Sequence, residues 1–196
     1  MPKVVPEYKE EAKNRIREAA TEKFLEEGYK NTKMTEIARK LGVSKGALYQ
    51  YYNSKEALLL DVLNGDQFRR SSIFNNMTKK QLPELSSKKI FDKMIHSTTQ
   101  IDKLGIEIAS LALHNPDLMK GVRDFYLEEV NIVQGFFDQL KKEGAIKQDT
   151  DTRVIAVSIL SFRSGLRGFL STEEKQETIY ATWKLQTELL LREIMV

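Results

Sequence analysis

Residues 34–51 read MTEIARKLGVSKGALYQY, and this stretch decides the fold that the sequence predicts. Two short amphipathic segments meet at Gly42, a residue that adopts a left-handed backbone conformation at little steric cost. Ile37 lies on the first segment, Val43 is expected to fill the space between the two, and Leu48 lies on the second. Ile-Ala, Gly-Val and Leu at these spacings are typical of a helix-turn-helix, which places its second helix in the major groove of DNA.

The same stretch carries an excess of positive charge. Between Gly28 and Lys55 there are six lysines and arginines and a single glutamate, whereas the whole chain has a formal net charge of +3. The remainder of the chain is therefore close to neutral. A basic motif on a neutral body is typical of a module that binds phosphates, and a solvated basic face on a small helical bundle is the alternative.

The second helix of the motif and its flanks hold the candidate DNA contacts. Lys45 and Gln50 are predicted to reach base edges, because lysine pairs with the acceptors of guanine and glutamine pairs with adenine. Gly46 removes a side chain where the backbone and DNA come close, and Lys55 combines a cation with the free N–H groups of the next helix. Nearby hydroxyl and phenol groups are predicted to bind phosphates. The full set of predicted DNA contacts is Thr32, Thr35, Ser44, Lys45, Gly46, Ala47, Tyr49, Gln50, Tyr51 and Lys55.

Helical periodicity dominates the rest of the chain, and no alternating strand pattern occurs. Three glycines are predicted to end helices, namely Gly28, Gly42 and Gly144, and the first two are expected to adopt a left-handed conformation. Side-chain caps are predicted at the helix N-termini that follow Ser44, Ser54, residues 149–152 and the capping box formed by Ser171 and Glu174. Residues 71–87, which contain Pro83, are predicted to be a loop or a broken helix. The predicted helices span residues 7–27, 34–41, 45–52, 55–70, 88–103, a shorter segment to 114, 116–143, 152–170 and 171–195.

Composition places the chain among soluble globular proteins. Of its 196 residues 41% are hydrophobic and 30% are charged, which argues against disorder across the whole chain. The chain has no cysteine, which excludes disulfides, thiolate metal sites and cysteine nucleophiles. No stretch approaches the roughly 18 apolar residues of a membrane-spanning helix, and the charged first eleven residues do not resemble a signal peptide. We expect a cytoplasmic protein that has no membrane partner.

No pattern in the sequence predicts catalysis, a metal site or a cofactor. His96 and His114 are far apart along the chain and lack clustered carboxylates. Glu128 and Glu129 are neighbours on a predicted helix, so their side chains diverge and are expected to face solvent. Neither a glycine-rich phosphate loop nor a serine nucleophile elbow occurs. We therefore expect no enzyme activity, no metal and no cofactor.

An apolar ligand pocket is expected among the helices that span residues 88–170. Methionine and phenylalanine side chains can reshape around an apolar guest, although the same stripes also fit an ordinary core. Arg163 and Arg167 lie one turn apart in an otherwise apolar helix. They fit either the carboxylate or phosphate of an acyl-type ligand or an ion pair at an interface. The predicted ligand contacts are Phe91, Met94, Ile95, Ile108, Leu111, Met119, Tyr126, Val133, Phe137, Phe162 and Arg163.

The last two predicted helices carry stripes that fit a subunit interface. Small residues recur on the first of them at Ser158, Ser161, Gly165 and Gly168. Apolar residues recur at heptad-like spacing on the second, at Ile179, Trp183, Leu190 and Ile194. Two such helices from each of two chains can form a four-helix interface, while the alternative is that both stripes pack inside one chain. A two-fold DNA site favours the homodimer.

Residues 32–59, TKMTEIARKLGVSKGALYQYYNSKEALL, resemble the DNA-binding segment of tetracycline-repressor-family (TetR) transcriptional regulators. The preceding residues FLEEGYKNT also match that family, whereas Ala57 stands where the family often has leucine and Tyr52 where phenylalanine is common. The resemblance implies an all-α fold of about nine helices, with a three-helix DNA-binding domain at 1–54 and a ligand-binding and dimerisation domain at 55–196. It also implies a homodimeric repressor that a small molecule releases from a palindromic operator in double-stranded DNA. A DNA-binding adaptor with a protein partner is the alternative function.

Overall fold

A computed structural model describes residues 6–75, 77–96, 99–170 and 172–196. Within these ranges the chain is all-α, as the sequence predicts, and its only β feature is an isolated antiparallel bridge between Ile146 and Met195. A 3-10 helix spans Lys79–Ser86 and a π-helical turn spans Asp92–His96. The α-helices of the described residues are α1 (Pro6–Glu27), α2 (Met34–Leu41), α3 (Lys45–Tyr49), α4 (Lys55–Asn75), α5 (Lys88–Phe91), α6 (Thr99–Ala112), α7 (Pro116–Lys142), α8 (Thr152–Phe169) and α9 (Gln176–Ile194).

Local signals set most of the helix boundaries. Gly28, Gly42 and Gly144 lie at helix ends, as predicted, and all three adopt positive φ. Ser44 accepts a hydrogen bond from the N–H of Ala47 at the start of α3, and Ser54 and Asp151 cap α4 and α8 in the same manner. The caps accept N–H groups that a helix N-terminus leaves unpaired, and the glycines adopt the left-handed conformation in which a helix ends. These residues therefore set the ends of their helices.

Three boundary predictions are wrong. The helix predicted over 88–103 is interrupted, because α5 ends at Phe91 and continues as the π-helical turn before α6 begins at Thr99. The helix α4 extends to Asn75 instead of ending near residue 70, and a 3-10 helix follows at Lys79–Ser86, so the segment 71–87 matches the broken helix of the two alternatives that the sequence left open. The capping box is not used, because α9 begins only at Gln176, with Lys175 as its N-cap, and Glu174 binds the N–H of Lys175; Ser171 lies outside the described residues.

The chain divides into two compact units, each with its own core. Unit 1 contains residues 1–67 and 100–125, and unit 2 contains residues 68–99 and 126–196. The predicted boundary between a DNA-binding domain at 1–54 and a ligand-binding domain at 55–196 concerns function and stays a prediction. The compact units differ from it because α6 and the start of α7 belong to the unit that contains the helix-turn-helix.

The core of unit 1 joins α1 to the helix-turn-helix and to α4. Phe24, Ile37, Leu48 and Leu58 are buried there. Polar contacts add to this apolar packing. The Asp61 carboxylate on α4 binds both the Arg17 guanidinium of α1, at 3.1 Å, and the phenol of Tyr52, at 2.5 Å.

The core of unit 2 is built around Trp183. Its indole N–H donates to the carbonyl of Leu85 at 3.0 Å, and its ring stacks near Phe162 with centroids 6.1 Å apart. The apolar stripe of α9 that the sequence assigned to a subunit interface packs inside this core, because Ile179, Trp183 and Ile194 are buried. That part of the interface prediction is wrong.

Candidate functional site

The helix α3 presents polar side chains from a short, well-anchored scaffold. Leu48 is fully buried, and Ser44 caps the helix by accepting the N–H of Ala47 at 3.1 Å. Lys45 and Gln50 are exposed, and the ammonium of Lys45 lies 5.5 Å from the centre of the Tyr49 ring. A cation and a phenol on one short helix and an amide on its C-cap residue therefore project together, which is the chemistry that reading base edges and phosphates requires.

The turn before α3 is closed by backbone hydrogen bonds. Gly42 has a φ of 69° and its N–H donates to Arg39, while the N–H of Val43 donates to the carbonyl of Ala38 at 3.0 Å. Val43 is 43% exposed, so the prediction that it fills the space between α2 and α3 is wrong. Ile37 and Leu48 fill that core instead.

The positive charge of this region divides into free and occupied cations. Lys30, Lys33 and Arg39 are exposed and form no ion pair with a described residue, and the same holds for Lys45. Lys40 is different, because its ammonium binds Glu22 at 2.5 Å and Glu26 at 3.8 Å on α1. Four cations around α2 and α3 are thus available to phosphates.

The other predicted DNA contacts are exposed to different degrees. Thr35 and Gly46 are exposed, whereas Ala47 and Tyr51 are partly buried. The Ser44 hydroxyl already accepts one hydrogen bond as a cap, and its own O–H can still donate to a phosphate. These residues lie on α2, on α3 or next to them, so the helix-turn-helix brings most of the predicted set together.

Two of the predicted contacts have other partners. Thr32 is buried, and its hydroxyl is within hydrogen-bond distance of the carbonyls of Lys23 and Gly28, at 3.1 and 2.8 Å. The Lys55 ammonium donates to three backbone carbonyls, and burial lowers the pKa of this amine. Neither side chain is free to bind a phosphate, so both leave the set that we propose to contact DNA.

Sequence inspection missed Glu107, a charged residue between two isoleucines of α6. Its carboxylate accepts the backbone N–H groups of Tyr29 and Lys30, at 3.0 and 2.8 Å. No local sequence pattern predicts this contact, since the partners of Glu107 lie 78 and 77 positions earlier in the chain. The only signal is an acid placed where the apolar periodicity of the helix leads one to expect a hydrophobic residue.

The predicted ligand contacts do not form one cluster. Ile108 is buried in the core of unit 1, and Leu111 packs against that core. Met119 and Tyr126 are 39% and 54% exposed. The core of unit 2 buries or contacts the remaining apolar members, Phe91, Met94, Ile95, Val133, Phe137 and Phe162.

A buried ion pair lies in unit 2. The Arg163 guanidinium donates from Nη2 to both oxygens of Glu129, at 3.1 and 2.8 Å, and the two side chains are only 6% and 5% exposed. The expectation that Glu129 faces solvent is therefore wrong, because α7 turns it toward α8. The Nε of Arg163 is buried and has no hydrogen-bond partner among the described residues. Arg167 donates to the carbonyl of Met94 at 2.6 Å.

The outer faces of α8 and α9 carry exposed apolar side chains. Val154, Val157 and Phe169 of α8 are exposed, as are Leu185 and Leu189 of α9. The small residues of α8 at 158, 161, 165 and 168 are exposed as well. Large exposed apolar side chains at helical spacing in a single unit favour a contact with another protein surface.

Among the described residues, no helix is both long and apolar enough to cross a membrane. The same residues contain no group of three or more histidine or carboxylate side chains that could hold a metal ion.

Residues 16–62 match the family model described as bacterial regulatory proteins of the tetR family. That segment contains the end of α1, the whole helix-turn-helix and the start of α4. The match therefore covers the residues from which we built the candidate nucleic-acid interface.

Curated transcriptional regulators are similar to the chain over different lengths. The HTH-type regulator YuxN of Bacillus subtilis is 43% identical over 77 residues, which cover 38% of this chain and 26% of YuxN. UidR of Escherichia coli is 23% identical over 83% of both chains. The fatty acid metabolism regulator protein of Bacillus subtilis is 28% identical over 71% of this chain and 73% of its own.

Solved structures share the fold. GusR of Salmonella enterica has a TM-score of 0.72 at 23% identity and covers 97% of this chain and 100% of its own. FadR of Bacillus subtilis in complex with stearoyl-CoA has a TM-score of 0.65 at 22% identity and covers 91% of this chain and 97% of its own. At these identities the likeness concerns the fold alone.

Proposed function

Since the chain belongs to the tetR family of bacterial regulatory proteins and is a DNA-binding transcriptional regulator, we propose that it is a ligand-responsive repressor. It binds a palindromic operator as a homodimer in the cytoplasm, where the bacterial chromosome lies, and it needs no enzyme activity. A small amphiphilic effector in unit 2 releases it. The observation that carries the proposal is the capped helix α3 with exposed Lys45 and Gln50. Lys45 is one of four cations in this region that form no ion pair with a described residue.

Operator binding is tested with DNA from the promoter region of the protein's own gene. Wild-type protein should bind at nanomolar to micromolar concentration, with an affinity that falls steeply as KCl rises, because bound phosphates release counterions. Lys45→Ala and Gln50→Ala should change the preference among operator sequences as well as the affinity. Lys40→Ala is the matched control, because Lys40 is already paired with acids on α1. Failure of the wild type to bind any promoter fragment in dilute buffer would refute the proposal.

The homodimer forms through the exposed faces of α8 and α9. The apolar side chains there give each protomer the same patch, which suits a two-fold interface. Val157→Arg or Leu185→Glu should produce monomers in light scattering and should weaken operator binding more than tenfold. Leu113→Glu is the control, because Leu113 is exposed but lies in unit 1. Dimers that survive both changes on α8 and α9 would place the interface elsewhere.

The effector is an acyl thioester that enters the core of unit 2. The apolar side chains of Phe91, Met94 and Phe137 suit an acyl chain, and a FadR structure of the same fold contains stearoyl-CoA. Glu129 already neutralises the charge of Arg163, so a ligand carboxylate buried beside the pair would add a second negative charge next to a single positive one. The Nε–H of Arg163 suits a neutral carbonyl oxygen of the ligand, because that oxygen needs only one hydrogen-bond donor when it is buried.

Stearoyl-CoA and stearate separate the two ligand chemistries. Stearoyl-CoA should release the operator at concentrations at least tenfold lower than stearate does. Glu129→Met combined with Arg163→Met removes the polar pair and should weaken release by stearoyl-CoA while leaving operator binding intact. Equal potency of the acid and the thioester contradicts the neutral-acceptor assignment. Operator binding that no acyl compound alters would favour the alternative function, a DNA-binding adaptor whose unit 2 binds a protein.

A further inference from the structure

The turn between α1 and α2 is held by two charged side chains of opposite sign. Glu107 of α6 accepts the N–H of Tyr29 on one carboxylate oxygen, at 3.0 Å, and the N–H of Lys30 on the other, at 2.8 Å. Lys55 of α4 donates to the carbonyl oxygens of Tyr29, Lys30 and Thr32, at 2.7, 3.2 and 2.8 Å. Glu107 therefore binds N–H groups of the turn, and Lys55 binds its carbonyl groups.

The number of donors matches the number of acceptors. An ammonium group has three N–H donors, and Lys55 binds three carbonyls. The Glu107 carboxylate has two oxygens, and each accepts one amide. Hydrogen bonds in which one partner is ionised are stronger than neutral ones, so the backbone of residues 28–32 is fixed in one conformation.

Further contacts keep the same turn in place. The Tyr29 ring lies 4.4 Å from the Lys55 ammonium and 5.3 Å from the ring of Phe24, measured at the ring centres. The Tyr29 phenol donates to Glu56 at 3.1 Å, and burial raises the pKa of this phenol, so it stays protonated at neutral pH. The turn leads within two residues into α2, and its geometry therefore sets the direction in which α2 leaves the turn.

We propose that Glu107 and Lys55 are positioning residues for operator binding, which hold the turn at 28–32 and through it the helix-turn-helix, without contacting DNA. This inference rests on the proposed function, because it needs an operator to be measured. It means that Lys55 does not bind a DNA phosphate, in contrast to the role that the sequence alone predicts. A phosphate contact contributes to the salt dependence of binding, whereas a positioning residue contributes to affinity alone.

Lys55→Met tests the amine. The variant keeps most of the side-chain stem and removes the ammonium, and we expect operator affinity to fall tenfold or more. The slope of log affinity against log KCl should equal that of the wild type, whereas loss of a phosphate contact would flatten it by about 0.9. A flattened slope, or unchanged affinity, overturns the assignment of Lys55.

Glu107→Gln tests the acid with almost no change in volume. The amide offers one acceptor oxygen and turns an NH₂ group toward a backbone N–H, so one of the two contacts is lost. We expect at least a tenfold loss of operator affinity, although removal of a negative charge by itself favours DNA binding. Glu26→Gln is the matched control, because it removes the same charge from an exposed position on α1 and should leave affinity equal or higher.

Hydrogen exchange provides a readout that needs no DNA. The amides of Tyr29 and Lys30 should exchange at least tenfold faster in Glu107→Gln than in Glu26→Gln, while amides of unit 2 keep their wild-type rates. Equal exchange at the two amides overturns the inference even if no operator is found. If the wild type binds its operator and Glu107→Gln binds equally well, the positioning role alone fails and the proposed function stands.

Discussion

Charged side chains are used differently in the two compact units. In unit 1, Glu107 and Lys55 bind the peptide groups of residues 28–32, so each charge meets backbone dipoles. In unit 2, Glu129 and Arg163 bind each other at 2.8 Å and are almost fully buried. The first arrangement fixes the conformation of a turn, and the second places an ion pair inside an apolar core.

The two arrangements differ in how many of their hydrogen-bonding groups have partners. All three donors of Lys55 and both oxygens of Glu107 have backbone partners, whereas Arg163 keeps one buried N–H without a partner among the described residues. A buried ion pair is often no more stabilising than two apolar side chains of similar volume, because both charges lose their hydration. The pair in unit 2 is therefore expected to add little net stability, which is compatible with the effector-binding role that we propose for it.

The largest expected effect tests this view of unit 2. Glu129→Ala leaves Arg163 as a buried charge without its carboxylate, and we expect a loss of about 3–5 kcal/mol in the free energy of unfolding. Glu129→Met with Arg163→Met should cost far less or be neutral, since no charge remains buried. Urea denaturation measures both values. A double variant as unstable as Glu129→Ala would mean that the pair itself stabilises unit 2.

Local chemistry explains what could be predicted from the sequence. Gly28, Gly42 and Ser44 act on backbone groups within a few residues of themselves, so the ends of α1, α2 and α3 follow from the sequence alone. The same holds for the exposure of Lys45 and Gln50, which follows from the side of α3 that Leu48 leaves to solvent. The helix-turn-helix is accessible to sequence inspection because its contacts are local.

Partners that are distant in sequence explain what could not be predicted. Lys55 has the position of a phosphate ligand, and only the fold shows that carbonyls 23 to 26 residues earlier occupy its ammonium. Glu129 is 34 residues from Arg163. The heptad-like spacing of Ile179 and Trp183 likewise predicts a buried face, but it does not show that the residues packed against that face belong to the same chain.

Glycines with positive φ provide a matched comparison between the units. Gly42 in unit 1 and Gly144 in unit 2 have φ values of 69° and 64°, and an added Cβ would meet no other atom within 4 Å at either position. Alanine at each should therefore cost only the strain of the left-handed conformation, about 1–2 kcal/mol, in urea denaturation. Only Gly42→Ala should also weaken operator binding, because Gly42 joins α2 to α3. Equal operator binding by both variants would mean that the turn tolerates movement.

Helix caps give the smallest expected effects and the finest test of the comparison. Ser44 accepts one backbone N–H in unit 1, whereas one oxygen of Asp151 accepts two in unit 2, from Arg153 and Val154 at 3.0 and 3.1 Å. Asp151→Ala should therefore lower the free energy of unfolding by about 1 kcal/mol and Ser44→Ala by about half as much. Operator affinity should show the opposite order, because α3 has only five residues and one lost cap loosens most of it. If Asp151→Ala weakens operator binding more than Ser44→Ala does, the helical conformation of α3 depends more on the stability of unit 2 than on the Ser44 cap.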